Sequence, residues 1–249
     1  MTMDVVVVDY PTERVAAFEV QQRFLQHWGP GLDTLDYSGQ CRQMGEVGGD
    51  FYDFVRLPGD RLAVAIGDAS GKGFAAALMI ANVQSSLRTA TLFAGSDTAA
   101  ALEAVNHQVF GSSLASRYAT LFSGTFDGST RTLHYVNAGH NPPMVIRPNG
   151  SIVWLETGGA PVGLFPDSTY KEGMVQLHPG DLVVAYTDGV AEALSPDDRE
   201  WGTEGIRLAA SGSEGESADD TVEAIMQAMR RYAPGRQMDD ATVVVLRVN

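Results

Sequence analysis

Two aspartates, Asp50 and Asp68, lie at equal distances on either side of Gly59. The segments 51–57 and 61–67 are apolar runs with aromatic and β-branched residues, and the loop between them reads Pro-Gly-Asp. Two such runs around a short Pro/Gly/Asp loop predict a β-hairpin. A hairpin centred on Gly59 would pair the two aspartates, with their Cα atoms about 5 Å apart. Carboxylates at that spacing repel each other, and a divalent cation with oxygen ligands would relieve the repulsion.

Three further aspartates have a comparable setting at the end of an apolar strand. Asp188 follows the apolar run LVVAYT, and Asp239 and Asp240 precede the closing run ATVVVLRV. Carboxylates without a His or Cys ligand set suit Mg²⁺ or Mn²⁺ rather than structural zinc. Two such ions a few Å apart hold a bridging hydroxide and clamp a phosphoryl group for in-line displacement. The acidic residues therefore predict metal-dependent phosphoryl chemistry.

The elements that must position these residues are mostly strands. A strand is predicted at 35–42, and a short one at 5–8. Besides the hairpin around Gly59, the pattern predicts three more hairpins: 119–126 with 131–137, 144–147 with 152–155, and 174–177 with 182–187. Hairpins indicate antiparallel sheets rather than parallel βαβ units. The expected fold class is α+β.

Helices are predicted in four places, with strands forming the core layers and helices covering them. They are 13–28, 74–87, a helix capped by Ser96 or Asp97, and a helix capped by Ser217 with Asp220. The first of these has a broad apolar face, which predicts packing against the body, a regulator or a second copy of the chain.

Composition excludes several classes of partner. The 249 residues carry a net charge of −14, which disfavours nucleic acid and anionic membrane surfaces. The single cysteine, Cys41, permits no intramolecular disulfide and is typical of a reducing compartment. No segment approaches about 18 consecutive apolar residues, and the first residues lack the basic start and apolar core of a signal peptide. We expect a soluble, cytoplasmic protein.

A set of motifs in a fixed order resembles a known family. They are GEVGGDFYDF, GDASGKG, NAGHNPP, GGAPVGL, LHPGDLVVAYTDGV and MDDATVVV. Together they resemble the metal-dependent protein phosphatases (PPM) in their bacterial SpoIIE/RsbU branch, from about Gln21 to Asn249. The resemblance implies an antiparallel β-sandwich flanked by helices on both faces. It divides the chain into an N-terminal strand and helix segment, 1–30, and a PPM-type phosphatase domain, 31–249.

The resemblance also implies a ligand set for two Mn²⁺ or Mg²⁺ ions. It comprises Asp50, Asp68, Asp188, Asp239 and the backbone carbonyl of Ala69. Asp240 flanks the site as a less favoured ligand, and Asp53 is expected to support the ligands.

The sequence departs from eukaryotic members of the family at two positions. Ser70 stands where those members have a histidine thought to act as general acid, and Gly45 stands where they have a phosphate-binding arginine. Lys72 is a candidate for holding phosphate, although a solvated surface lysine explains it equally well, and Arg42 is a looser candidate. The proton donor and the phosphate-binding residue are therefore left open.

The implied activity is that of a serine/threonine phosphoprotein phosphatase in which a metal-bound hydroxide attacks phosphorus. By resemblance, its substrate is a phosphorylated anti-sigma-factor antagonist in bacterial partner switching. The main alternative is a catalytically inactive PPM fold that serves as a regulatory binding module.

Other chemistries have weaker support. Residues 71–76 fit G-x-G-x-x-A, a dinucleotide-binding pattern, but the preceding strand belongs to a hairpin and not to a βαβ unit. GGDFYD matches the signature loop of diguanylate cyclases only up to its first aspartate. Cys41 lacks the arginine six residues later that a cysteine phosphatase needs, because Val47 stands there. Cys41 is therefore expected to be a packed strand residue, and His140 a structural turn residue.

Overall fold

The computed structural model describes residues 11–25, 32–94, 97–112, 117–213, 215–235 and 237–249. The helices are α1 (Pro11–Phe24), α2 (Phe74–Ala94), α3 (Thr98–Ser112), α4 (Asp188–Ala191), α5 (Gly202–Ser211) and α6 (Ala218–Tyr232). The strands are β1 (Leu35–Arg42), β2 (Asp50–Leu57), β3 (Arg61–Ala69), β4 (Ala119–Asp127), β5 (Thr132–Ala138), β6 (Met144–Ile146), β7 (Ile152–Trp154), β8 (Gly158–Gly159), β9 (Gly173–Gln176), β10 (Leu182–Tyr186) and β11 (Ala241–Val248).

The strands form two packed sheets. The first has the order β1-β11-β10-β6-β7, and the second has the order β2-β3-β4-β5-β8, with β9 paired to β5. Every pairing is antiparallel except that of β5 with the two-residue strand β8. The sheets enclose one apolar core, where Phe122 and Tyr135 stack with ring centroids 5.6 Å apart. The predicted α+β sandwich is confirmed.

Helices cover both outer faces, as expected. The buried side chains of α2 and α3 belong to the core of the second sheet, whereas those of α5 and α6 form a separate cluster against β6, β10 and β11. Asp97 accepts a hydrogen bond from the Ala100 amide at the start of α3, and Ser217 and Asp220 form the predicted capping box of α6. Local capping signals therefore located these two helix starts correctly.

The predicted register of the central hairpin is confirmed. Asp50 lies opposite Asp68 in the β2–β3 pair, and the pairing continues to β4, where Thr120 lies opposite Asp68. Because residues opposite each other point to the same face, these three side chains form a row on the inner face of the second sheet. Asp53, three residues beyond Asp50, points to the outer face, where it pairs with Arg88 of α2.

One predicted hairpin is wrong. Segments 174–177 and 182–187 were expected to pair, but β9 pairs with β5 and β10 pairs with β6 and β11. The chain thus crosses between the sheets at 177–181. Asp181 is 1% exposed at this crossing and forms an ion pair with Arg147. A buried carboxylate of this kind requires a partner, and here the partner comes from the end of β6.

Other differences are local. The predicted helix 13–28 is α1, which runs from Pro11 to Phe24, and α5 was not predicted at all. The predicted strand at 5–8, the residues 26–28 and the capping candidate Ser96 lie outside the described residues. Within the described ranges, no helix is long and apolar enough to cross a membrane.

Candidate metal centre

Five aspartates lie where β2 and β11 begin and β3 and β10 end, a region called here the acidic edge: Asp50, Asp68, Asp188, Asp239 and Asp240. Asp50, the first residue of β2, is the most deeply buried of them. Its side chain is 1% exposed, and its Oδ2 atom accepts hydrogen bonds of 2.7 Å from the hydroxyls of Thr187 and Thr242. Burial, followed by the charge of Asp68, raises its pKa well above the ordinary value. Thr242 belongs to β11 and Thr187 directly follows β10, so this carboxylate also joins the two sheets.

Asp68 stands beside Asp50 near the end of β3. Burial raises its pKa to about 7, and the charges of Asp188 and Asp239 contribute in the same direction. The next residue, Ala69, is 1% exposed, and its amide donates to the Gly49 carbonyl at 3.0 Å. The edge therefore holds more negative charge than its surroundings neutralise, which is the electrostatic condition for cation binding.

Asp188 and Asp239 reach the edge from the first sheet. Asp188 begins α4 directly after β10, and its pKa is raised by burial and by Asp239. Asp239 accepts a hydrogen bond of 2.6 Å from the Lys72 ammonium, which also donates to the Met238 carbonyl at 2.8 Å. That ion pair raises the pKa of Lys72. A protein cation therefore already contacts one of the predicted ligands.

Asp240 has a different role from the other acids. Its two carboxylate oxygens accept hydrogen bonds of 2.7 Å from the amides of Met44 and Gly49, so it holds the loop that leads into β2. A Cβ atom at Gly48 would lie 2.2 Å from Asp240 Oδ2, which explains glycine there. Gln21 of α1 holds the same loop, because its amide accepts from the Gly48 amide at 3.0 Å and donates to its carbonyl at 2.8 Å.

The structure does not bring every predicted residue to the edge. Asp53 lies on the opposite face of β2 with Arg88. The Ser70 hydroxyl accepts a hydrogen bond from the Tyr118 amide at 3.0 Å, so it is engaged with the backbone just before β4. Arg42 lines a cavity of about 340 Å³ together with Lys72 and Asp239.

Sequence reasoning missed the residues that support the acids. Thr187 directly precedes Asp188, and Thr242 follows Asp240 by two positions, so both lie inside the motifs that carry the acids. Gln21 and Asp240 act across 27 and 191 residues, to Gly48 and Gly49 respectively, and no local pattern signals such contacts.

The carboxylates and the backbone carbonyl of the acidic edge are of the types that bind a hard cation, although their atoms do not form a closed ligand set in this structure. Among the residues that the structure describes, no three His, Cys, Asp or Glu side chains form a group tight enough to hold a metal ion. The types present are nevertheless those that Mg²⁺ and Mn²⁺ prefer, namely carboxylates and a backbone carbonyl. The raised pKa of Asp68 and the ammonium of Lys72 at Asp239 both indicate an edge that favours positive charge.

Comparison with known proteins places these features in a wider context. The family model described as Stage II sporulation protein E (SpoIIE) matches residues 58–249. The chain is 29% identical to Protein IcfG of Synechocystis sp., over 93% of this chain and 40% of that protein. It is 26% identical to phosphoserine phosphatase RsbU of Bacillus subtilis, over 93% of this chain and 68% of that protein. The chain thus spans well under half the length of IcfG.

Solved structures share the fold. The RsbU and RsbW domains of Rv1364c from Mycobacterium tuberculosis match with a TM-score of 0.75 and 26% identity, over 88% of this chain and 61% of that one. The SiaA-PP2C domain of Pseudomonas aeruginosa matches with a TM-score of 0.82 and 20% identity, over 96% of both chains. The catalytic domain of the phosphatase PstP, solved with two manganese ions, matches with a TM-score of 0.66 and 18% identity, over 86% and 98%.

Proposed function

The chain belongs to the SpoIIE family, and from that membership we propose that it is a Mn²⁺- or Mg²⁺-dependent serine/threonine phosphoprotein phosphatase. The observation that carries the proposal is the pairing of Asp50 with Asp68 in register, next to Asp188 and Asp239 from the other sheet. Its relative RsbU is named a phosphoserine phosphatase, and a structure of the same fold was solved with manganese.

The residues of the edge have separate tasks in this proposal. Asp50, Asp68, Asp188 and Asp239 would hold the cations, with the Ala69 carbonyl as a further donor. Bound Mn²⁺ or Mg²⁺ supplies Lewis acidity and a water nucleophile at neutral pH. Thr187 and Thr242 fix the carboxylate of Asp50, and Asp240 fixes the loop before it. Lys72, which is paired with Asp239 in this structure, would be free to contact a substrate phosphate if Asp239 held a cation instead.

Metal dependence is the direct test of this function. Phosphate release from a phosphoserine protein is expected to require Mn²⁺ or Mg²⁺, to stop in EDTA and to return when Mn²⁺ is added in excess of the chelator. The measurement is colorimetric phosphate release, with the same substrate incubated without enzyme as the control. Full activity in EDTA would contradict the proposal.

A second candidate is a catalytically inactive fold that serves as a regulatory binding module. It is favoured by the ion pair between Lys72 and Asp239 and by the absence, in the described ranges, of a tight group of metal-binding side chains. Turnover of a generic phosphomonoester with Mn²⁺ distinguishes the two candidates. A folded protein that binds its partner without turnover would establish the second.

We further propose a substrate, a phosphorylated anti-sigma-factor antagonist, and a cytoplasmic location. Support comes from the similarity to RsbU and from a solved chain that contains both RsbU and RsbW domains. Comparing the phosphoproteins of cells with and without this protein would test the assignment, since the substrate should accumulate in its phosphorylated form. The division of the chain at residues 30 and 31 is part of the same proposal.

The N-terminal helix is proposed to contact a second copy or a regulator. Val20 and Phe24 of α1 line a cavity against α2. Val15 and Phe18 lie on the other side of the helix and are 57% and 40% exposed, which leaves an apolar face in water. If two copies associate through it, replacing both Val15 and Phe18 with serine is expected to lower the mass measured by light scattering. Phe93→Ser is the control, because Phe93 is exposed on α2. An unchanged mass in the double variant would remove self-association through this face.

Cys41 is expected to take no part in the reaction. Burial and the charge of Asp50 raise the pKa of its thiol well above the ordinary value, which disfavours the nucleophilic thiolate. Cys41→Ser should therefore keep the rate within a few-fold of the wild type, and acid quenching should trap no phosphoenzyme. A radiolabelled protein band would instead indicate covalent catalysis.

A further inference from the structure

The motif NAGHNPP forms a turn after β5 whose shape is tightly fixed. The side chain of Asn137 accepts a hydrogen bond from the His140 amide at 2.7 Å and donates to the Leu155 carbonyl at 3.1 Å. Gly139 has φ +68°, and a Cβ atom there would lie 2.6 Å from a ring carbon of Pro161. Backbone conformation and packing both require glycine, so His140 is held in one place.

His140 is buried and directed at a single side chain. It is 5% exposed, and its Nδ1 atom lies 3.0 Å from the hydroxyl of Thr120. Burial lowers the pKa of His140 to about 4, and a contact with the Tyr186 backbone offsets part of that effect. The ring is therefore neutral at physiological pH, and it bonds to no other side chain within the described residues.

Thr120 connects this turn to the acidic edge. It is the register partner of Asp68, so the two side chains are neighbours on the inner face of the second sheet. Asp50, the next residue in the row, already receives two threonine hydroxyls, those of Thr187 and Thr242. Thr120 differs from these two threonines, because its hydroxyl is paired with His140 and it adjoins Asp68 as its cross-strand neighbour.

We propose that His140 and Thr120 act together as positioning residues for Asp68. The imidazole fixes the rotamer of Thr120, and Thr120 then limits the positions that the Asp68 carboxylate can occupy beside Asp50. The proposal rests on the proposed function, because it takes Asp68 as a metal ligand. Groups that orient a ligand in this way typically change metal affinity about 10- to 100-fold when removed.

The test is Mn²⁺ affinity, measured by titration calorimetry on the full chain, together with stability in EDTA measured by urea unfolding. Thr120→Val and His140→Leu are each expected to weaken Mn²⁺ binding about 10-fold or more. The double variant should be no weaker than either single variant, because the two residues act through one contact.

Conservative variants distinguish positioning from general support of the fold. Thr120→Ser keeps a hydroxyl, and His140→Asn places an amide near the former Nδ1 atom, so both should bind Mn²⁺ within about 3-fold of the wild type. Thr125→Val is the matched control, since Thr125 is buried on the same strand and points to the opposite face. Its affinity for Mn²⁺ should not change.

The binding measurements can contradict the positioning role, the proposed function or both. Wild-type affinity in Thr120→Val, equal losses in Thr120→Val and Thr125→Val, or a His140→Asn variant as weak as His140→Leu would overturn the proposal. A wild-type protein that binds Mn²⁺ without hydrolysing phosphoester would remove the proposed function alone, because the binding comparison still stands. A wild-type protein that binds no Mn²⁺ would overturn both.

Discussion

Asp68→Asn is expected to lower phosphate release about 100-fold or more at saturating Mn²⁺, the scale of effect that follows from losing a metal ligand. Asp68 lies beside Asp50 and feels the charges of Asp188 and Asp239. An amide at this position offers a cation one neutral oxygen in place of a carboxylate. Steady-state phosphate release, measured over a range of Mn²⁺ concentrations, separates lost affinity from lost turnover.

The same loss is expected for Asp188→Asn and Asp239→Asn, which contribute from the first sheet. Asp197→Asn is the control, because its side chain is 78% exposed and lies in the loop after α4. Activity within a few-fold of the wild type in Asp68→Asn would show that this carboxylate does not hold a catalytic metal. Equal losses in Asp68→Asn and Asp197→Asn would point to an unspecific effect of charge.

Stability of the metal-free protein is expected to fall as pH rises, and Asp68→Asn should remove much of that fall. The pKa of Asp68 is about 7 in the folded protein against an ordinary value of 3.8. The folded state thus binds this proton more tightly than the unfolded state does. The resulting stabilisation is complete below about pH 4 and is lost as pH rises to about 7. Asp50 acts in the same direction, since its pKa is also raised.

Urea unfolding in EDTA at pH 5 and pH 8 measures this effect. At pH 8, Asp68→Asn should be more stable than the wild type, because it removes a buried charge and its repulsion with Asp188 and Asp239. When Mn²⁺ is added, the wild type should become more stable than Asp68→Asn. A metal that binds only the folded state adds roughly 2.7 kcal/mol at 100 times its Kd, and this raises the Tm of a chain of this size by about 5–10 °C. A wild-type protein with no pH slope, or an equal Mn²⁺ gain in Asp68→Asn and Asp197→Asn, would contradict the assignment.

The parts of the fold that follow from neighbouring residues could be predicted. The Pro-Gly-Asp loop fixes the register of β2 and β3, so the pairing of Asp50 with Asp68 followed from the spacing alone. The capping box at Ser217 located the start of α6 in the same way. Both signals act within a few residues and do not depend on the rest of the chain.

The parts that depend on distant residues could not be predicted. Two apolar runs joined by a Pro-Gly-Asp turn look the same whether they pair with each other or with strands of different sheets. At 177–181 the second arrangement occurs, where the buried Asp181 pairs with Arg147. The hydroxyl contacts to Asp50 could not be predicted for the same reason, since Thr242 lies 192 residues from Asp50 in the chain.

The hydrogen bonds that Asp240 accepts from the loop before β2 have a consequence for folding during synthesis. Strand β11 lies far from β1 in sequence, yet the two strands pair, and Asp240, the residue before β11, accepts from the amides of Met44 and Gly49, across 196 and 191 residues. Closing loops of that length is slow compared with forming a hairpin. During synthesis the β2–β3 hairpin can form early, but the ribosome must release the chain past residue 240 before the five aspartates meet. A nascent chain that stalls before residue 240 would therefore carry a paired Asp50 and Asp68 but no assembled site.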